Sequence, residues 1–262
     1  MNKGLQILPT TLLEKYNAAS SPLLQDAFER LQESELSIET FNFYVSVSAV
    51  FSSKIEGEDI ELDSFIKHKR FGVKYLPDYT RKIDDLYDAY LFAKTNDLNA
   101  TTLSKAHGLL TQHILQKNEQ GKIRTSNMFV ITGDGKIEYS AAAPSIVKKE
   151  MKKFYEDLNW LLSQPLDFAE VFFYGSLLHL VLLKIHPFAD GNGRTARLLE
   201  KWFIAQKLGD KAWFLQSEKY YYENNKAYYN NIRKLGIEYE ILNYDEALPF
   251  LQMLLNAIAN QE

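Results

Sequence analysis

The sequence predicts an all-α protein, a helical bundle carrying one small β-hairpin. Apolar residues recur at three- and four-residue spacing almost throughout, the pattern of helices with one buried face. One central segment is apolar around most of its circumference, as the innermost helix of a bundle must be. Only one stretch breaks the helical pattern, where two short β-type runs face each other across an Asp-Gly pair.

Taken in order, residues 1–75 form an N-terminal helical arm, with a boundary around Tyr75-Leu-Pro-Asp-Tyr79. Nothing there resembles a flexible linker, so arm and core (76–262) are expected to pack as one unit. Ile83, Leu86, Tyr87, Tyr90 and Leu91 place an amphipathic helix at 80–96. Thr101 or Thr102 is expected to cap the next helix, with Leu103, His107, Leu110 and Ile114 on one face. Met128–Ile131 and Lys136–Tyr139 are the two β runs, and Asp134-Gly135 suits the positive φ angles of a tight turn. A lone hairpin is marginal in water and must lean on the bundle, so it reads as a lid or docking edge. Val147, Met151, Phe154, Leu158 and Leu161 define a helix that begins after Pro144 and stops before Pro165. The apolar helix follows at about 167–185, and further helices are expected at 194–207, 217–234 and 245–259.

Composition narrows the function classes. The chain has 262 residues, 46% hydrophobic and 24% charged, which excludes disorder and fibrous repeats as its main character. Thirty basic residues against 34 acidic ones give a net charge of −4, so no excess of positive charge favours nucleic acid or an anionic membrane. The absence of cysteine excludes disulfides, thiol nucleophiles and cysteine-ligated zinc. The most apolar run, Val171–Ile185, contains His179 and Lys184 and is shorter than the ~20 residues that span a bilayer. The N-terminal apolar stretch is broken by Pro9, too early for a signal-peptide core, and a cytoplasmic location is expected.

The chemistry concentrates in residues 186–197, His-Pro-Phe-Ala-Asp-Gly-Asn-Gly-Arg-Thr-Ala-Arg. Pro187 disfavours helical geometry in the residue before it, so the buried helix should end at His186. Gly191 and Gly193 let the backbone turn and approach a ligand closely. A new helix beginning near Arg194 points unpaired N–H groups and a positive dipole into the loop, a ready anion cradle. Arg194 and Arg197 share one face there, where cations are disfavoured by ~0.3–1 kcal/mol each unless an anion offsets them. Asp190 is the lone carboxylate among these donors, suited to holding Mg²⁺ beside phosphates. His186 is the one group able to take a proton near neutral pH.

This loop resembles the Fic family motif, His-x-Phe-x-(Asp/Glu)-Gly-Asn-Gly-Arg-x-x-Arg, at every specified position. The preceding helix, the hairpin, Gly121-Lys-Ile-Arg124 and the Tyr228-Tyr229 segment extend the likeness over roughly residues 80–240. The resemblance implies a Fic-type helical bundle that transfers AMP from ATP to a Ser, Thr or Tyr hydroxyl of a target protein, the chain itself included among candidates. It implies that His186 is the general base and that Asp190 holds Mg²⁺. Gly191, Asn192 and Gly193 would bind phosphates, with Arg194 on the β-phosphate and Arg197 towards the γ-phosphate. Phe188 would anchor the loop, and the hairpin at 127–140 would be the family's flap, aligning the target by strand-type pairing. Tyr228 and Tyr229 are candidates for the adenosine pocket, or else ordinary core aromatics.

A second segment, Ser52-Ser-Lys-Ile-Glu56-Gly57, taken alone is a helix end capped by Gly57. It also resembles the family's autoinhibitory motif, (Ser/Thr)-x-x-x-Glu-(Gly/Asn), in the class whose inhibitory helix precedes the Fic domain in the same chain. That helix would span roughly 38–56, and Glu56 would pair with Arg197 and obstruct the γ-phosphate. Three functions fit this pattern: an autoinhibited adenylyltransferase, an enzyme that removes AMP with Glu56 positioning water, or a non-catalytic nucleotide-sensing module. The target, the oligomeric state, homo-oligomers included, and the signal relieving inhibition are left open by the sequence.

Overall fold

A computed structural model of the chain describes residues 4–19, 21–39, 41–75, 77–131 and 137–261. Its centre is α8 (Phe168–Ile185), started by a reciprocal capping box in which Asp167 Oδ1 accepts the Glu170 N–H at 2.8 Å and Glu170 Oε2 accepts the Asp167 N–H at 2.9 Å. Every residue from Val171 to Leu182 is buried, as an all-round apolar helix requires. Its partner is α9 (Asn192–Leu208), which approaches so closely that a Cβ on Gly175 would stand 3.2 Å from Ile204 Cγ1.

The remaining helices wrap this pair. α1 (Leu13–Ala19), α7 (Pro144–Ser163) and α12 (Leu248–Ala259) pack on α8. α3 (Phe43–Ile55), α5 (Pro77–Lys94) and α6 (Ala100–Leu110) pack on α9. α2 (Pro22–Glu29) lies on α12, α4 (Leu62–Phe71) on α3, and α10 (Ser217–Glu223) joins α3 to α12. α11 (Asn225–Arg233) also packs on α12. Val45, Val50 and Phe65 from the first 75 residues share one apolar cluster with the centre of the bundle. The architecture is the all-α bundle the periodicity predicts.

Boundaries depart from the sequence reading where side-chain caps decide them. Asn99, not Thr101 or Thr102, caps α6: its Oδ1 accepts the N–H groups of both threonines at 2.9 and 3.0 Å, and Thr102 Oγ1 answers the Asn99 N–H. That helix stops at Leu110, leaving Ile114 in the following turns. α3 starts at Phe43 rather than near residue 38, because Asn42 Oδ1 accepts the Val45 N–H at 3.0 Å. The stretch 217–234 is two helices, broken at Asn224 where φ −108° and ψ 32° leave the helical region. The last helix starts at Leu248, after a 3₁₀ turn over 244–246.

The hairpin is β1 (Phe129–Ile131) against β2 (Ile137–Ser140), with Phe129 opposite Ser140, Val130 opposite Tyr139 and a bulge before Ile131. The Asp134-Gly135 turn lies outside the described residues, as does Leu76 in the expected boundary. As expected of so small a sheet, it leans on the bundle. Tyr139 is buried and its hydroxyl donates to the Lys184 carbonyl, while the Ser140 N–H reaches Ile237 O at 2.7 Å.

Candidate active site

The loop between α8 and α9 is held from several directions. His186 ends α8 in the left-handed region, φ 51° and ψ 60°, a conformation that costs a non-glycine residue about 1–2 kcal/mol. Its Nδ1 stands 3.2 Å from Leu183 O, and a carbonyl only accepts, so Nδ1 carries the proton and Nε2 keeps its lone pair. Burial, helped by the Arg124 cation, pushes the His186 pKa down to about 4. The ring is therefore neutral at pH 7, in the form that can accept a proton.

Asn192 closes the loop on itself. Its Oδ1 accepts the Phe188 N–H and its Nδ2 donates to Phe188 O, both at 2.9 Å. The side-chain amide is thus committed to the backbone, and what Asn192 can offer a ligand is its main-chain N–H at the start of α9. Phe188 stacks on His107 with ring centres 3.7 Å apart. His107 Nδ1 accepts the Gly121 N–H at 2.8 Å, so Nε2 bears the proton and donates to Asp190 O at 2.9 Å. Gly191 has φ +75°, and a Cβ there would stand 2.7 Å from Thr111 Cγ2. That residue has to be glycine. The Asp190 carboxylate is exposed at the mouth of the loop, with Oδ1 taking the Gly191 N–H at 2.5 Å.

Both arginines predicted to face an anion are buried, and each already meets a carboxylate. Arg197 donates from Nε to Ser52 Oγ at 2.8 Å, and from Nη2 to Ser52 O at 3.0 Å and Glu56 Oε1 at 2.6 Å. Arg194 Nη2 lies 3.6 Å from Glu58 Oε1, an oxygen that also takes Lys82 Nζ at 2.7 Å. The Arg194 Nε is buried without a hydrogen-bond partner. Glu56 Oε1 stands 2.4 Å from where a Cβ on Gly193 would be, so its carboxylate occupies the N-terminal turn of α9. Burial alone would raise the Glu56 pKa, but Arg197 and Arg194 outweigh it and hold the group below the usual carboxylate range.

Tyr228 and Tyr229 line the same cavity of about 140 Å³ as Glu56, His186, Gly193 and Arg197, with Val130 and Tyr139 of the hairpin on its rim. The Tyr228 hydroxyl backs the arginine: it lies 2.9 Å from His179 Nε2 and accepts from Arg197 Nη1 at 3.4 Å. Behind it, His179 Nδ1 meets Glu200 Oε2 at 2.8 Å, and Tyr221 donates to the same carboxylate at 2.9 Å. Tyr229 is half-buried and its hydroxyl reaches Ile55 O at 3.3 Å. The structure thus gathers His186, Asp190, Gly191–Gly193, Arg194, Arg197, Ser52, Glu56, Tyr228 and Tyr229 around one helix start. A neutral imidazole, two buried guanidiniums and a carboxylate seated as an anion are the makings of a phosphate-ester site.

The Fic/DOC family matches this chain over residues 97–204, which include α6, α8 and the whole loop. The chain carries a Fic domain. It is similar to "Protein adenylyltransferase Fic" of Nematostella vectensis, 31% identical over 112 residues, covering 39% of this chain and 24% of that protein. It is also similar to "Protein adenylyltransferase fic-1" of Caenorhabditis elegans, 28% identical over 191 residues, covering 67% of this chain. The chain spans 35% of the length of that second relative. Among solved structures, a Fic family protein from Desulfovibrio desulfuricans superposes with a TM-score of 0.71 at 21% identity, over 95% of this chain and 72% of the other. Fic-1 from C. elegans gives 0.66 at 19% identity, over 95% of this chain and 69% of the other. These likenesses place the Fic fold on the full bundle, the helices before residue 97 included.

Sequence reasoning missed the supports of the Fic loop. The spacing places His107 on an apolar helix face, and nothing local shows that it reaches Asp190, 83 positions away. Glu58 and Glu200 carry no sequence signal of their own. Arg124 stands out in the sequence only as part of Gly121-Lys-Ile-Arg124.

Proposed function

We propose that this protein transfers AMP from ATP to a hydroxyl of a target protein, and that Glu56 restrains the reaction. The observation that carries this reading is the Glu56 carboxylate bound to Arg197 at 2.6 Å over the first turn of α9. A site that holds an internal anion so firmly is built for a stronger external one, and a polyphosphate supplies it. The Arg197 guanidinium would take the γ-phosphate in place of Glu56. Arg194, whose Nε has no partner, would take the β-phosphate. The amides of Gly191, Asn192 and Gly193 would orient the α-phosphate at the positive end of α9.

His186 Nε2 then removes the proton of the incoming Ser, Thr or Tyr hydroxyl as its oxygen bonds the α-phosphorus. The bond from that phosphorus to the bridging oxygen breaks and pyrophosphate leaves. The hairpin beside the cavity offers strand edges along which a target segment can align. Among the described residues there is no cluster of three groups able to hold a metal ion unaided. The donor set suits Mg²⁺ all the same, because that ion takes one or two carboxylates and fills its shell with water and phosphate oxygens. Asp190 would hold it, and when bound it would neutralise charge on the phosphates.

The test is intact-mass and peptide analysis of wild type, Glu56→Gly and Glu56→Gly/His186→Ala after incubation with ATP and Mg²⁺. An AMP adduct growing in Glu56→Gly, on the chain or on added protein, and absent from the double variant supports the reading. Nucleotide binding without an adduct in any variant refutes it in favour of a sensing module. Loss of AMP from a pre-modified protein, dependent on Glu56, identifies removal as the net reaction instead.

A further inference from the structure

Arg124 is buried, 5% exposed, and among the described residues it has no carboxylate partner. Its guanidinium is instead spent on main-chain oxygens from three segments. Nε donates to His186 O at 2.7 Å, Nη1 to Ser126 O at 2.5 Å, and Nη2 to Ala142 O at 2.5 Å and Ile185 O at 3.4 Å. Its own N–H adds a bond to Pro187 O at 2.9 Å. Ser126 lies just before β1 and Ala142 just after β2, so one side chain clasps the base of the hairpin and the end of α8 together. A planar fork spreads five donors over three nitrogens and so meets acceptors set apart from one another, whereas a lysine must gather all of its acceptors around one nitrogen. The last carbonyls of α8 carry the negative end of the helix dipole and suit a cation without a counter-ion.

None of these contacts touches the anion cradle. Arg124 meets the backbone at 185–187, where His186 is held in its left-handed conformation, and the two stems of the hairpin. We propose that Arg124 is a positioning residue that fixes the hairpin, along which the target lies, against the backbone of His186, which takes the target's proton. This rests on the reading of the site as an AMP-transfer centre. It assigns a task to a residue that binds neither nucleotide nor target, and it separates alignment of the target from binding of ATP.

The test compares Arg124, Arg124→Lys and Arg124→Gln, all in the Glu56→Gly protein. Three quantities are read: the ADP dissociation constant, hydrogen exchange at Phe129–Ile131 and Ile137–Ser140, and the rate of AMP transfer. Losing two or three charge-assisted bonds should speed exchange in both strands by roughly tenfold or more and slow transfer by about 10- to 100-fold, with ADP affinity changed less than about twofold. The His186 ring resonances should move in both variants, since the backbone that orients the ring is released. Strand protection, His186 resonances and transfer all at parent levels in Arg124→Lys and Arg124→Gln would overturn the assignment. So would a parallel loss of ADP affinity and global stability, which marks a merely structural arginine. If the Glu56→Gly parent transfers no AMP, the functional reading fails. Exchange and ring resonances then still decide whether Arg124 ties hairpin to His186.

Discussion

Replacing Glu56 by glycine removes one carboxylate from a pair whose partner, Arg197, is 1% exposed. In the proposed mechanism the nucleotide's γ-phosphate must displace that carboxylate from Nη2, where it sits at 2.6 Å. A hydrogen bond between charged groups contributes about 1.5–3 kcal/mol net. At about 1.4 kcal/mol per factor of ten, transfer by Glu56→Gly should exceed wild type by roughly 10- to 150-fold. Glu56→Gln keeps the size and an acceptor oxygen but loses the charge, and should fall between the two.

The same change has a cost in stability that serves as an internal check. Removing one member of a fully buried pair costs about 3–5 kcal/mol. Here the loss should be smaller, because the Glu56 side chain is 28% exposed and Arg197 keeps both Ser52 oxygens. ATP should then raise the melting temperature of Glu56→Gly more than that of wild type, since its γ-phosphate replaces the missing anion. The assay is the initial rate of adenine-label incorporation into protein with Mg²⁺, run beside thermal unfolding with and without nucleotide. Equal rates and equal ligand-induced shifts in wild type and Glu56→Gly would refute the reasoning, leaving Glu56 as an ordinary helix-end residue.

Four further outcomes are expected. In the Glu56→Gly protein, His186→Ala should reduce transfer by at least about 10²-fold while ADP affinity by calorimetry stays within about twofold of the parent. With His186 intact, the rate should hold from pH 8 down to about 5 and fall only as pH drops through about 4, where the ring gains its proton; a limb centred near 6.5 would show an ordinary solvated imidazole. Asp190→Ala should lose the dependence of rate on Mg²⁺ together with the rate itself, and a variant that stays active and metal-dependent would show the ligand to lie elsewhere. Burial holds the folded-state pKa of His107 at about 4, below its unfolded value, so the unfolded chain binds more protons between the two. Its contribution is complete above about pH 6.5 and lost as pH falls towards 4, so urea unfolding at pH 7 and 5 should show a drop about 2 kcal/mol smaller in His107→Gln than in wild type.

How much of this was legible beforehand follows from which contacts are local. The loop at 186–197 was readable because its ligands lie within one turn of helix and one tight turn of each other. The periodicity of 144–163 and 168–185 was readable because a buried helix writes its face into the order of residues. The starts of α3 and α6 were not, since Asn42 and Asn99 had to compete with neighbouring apolar residues and threonines for the cap. The break at Asn224 was hidden because tyrosines continue the apolar spacing across it. The tasks of Tyr228, His107 and Arg124 depend on hydroxyl, ring nitrogen and guanidinium meeting atoms 31 to 83 positions away. No spacing rule carries that information.

The way α3 is built bears on where the restraint can act. Its buried face includes Val45, Val47, Ala49 and Val50, and each fully buried valine contributes roughly 1.5–3 kcal/mol. Ser48 accepts from Lys201 Nζ at 2.6 Å and donates to Glu218 Oε2 at 3.1 Å, inside a buried ion pair that Tyr90 also joins. Lifting α3 off the bundle would expose those side chains and strip that pair of a ligand. Turning the Glu56 carboxylate away from Arg197 disturbs one ion pair at the rim of the cavity. The second costs several kcal/mol less than the first, so a nucleotide competes with a single side chain and not with the packing of a helix. On the proposed reading α3 is a fixed mount: the body of the protein holds it in place, and it sets the position from which one carboxylate reaches the cradle.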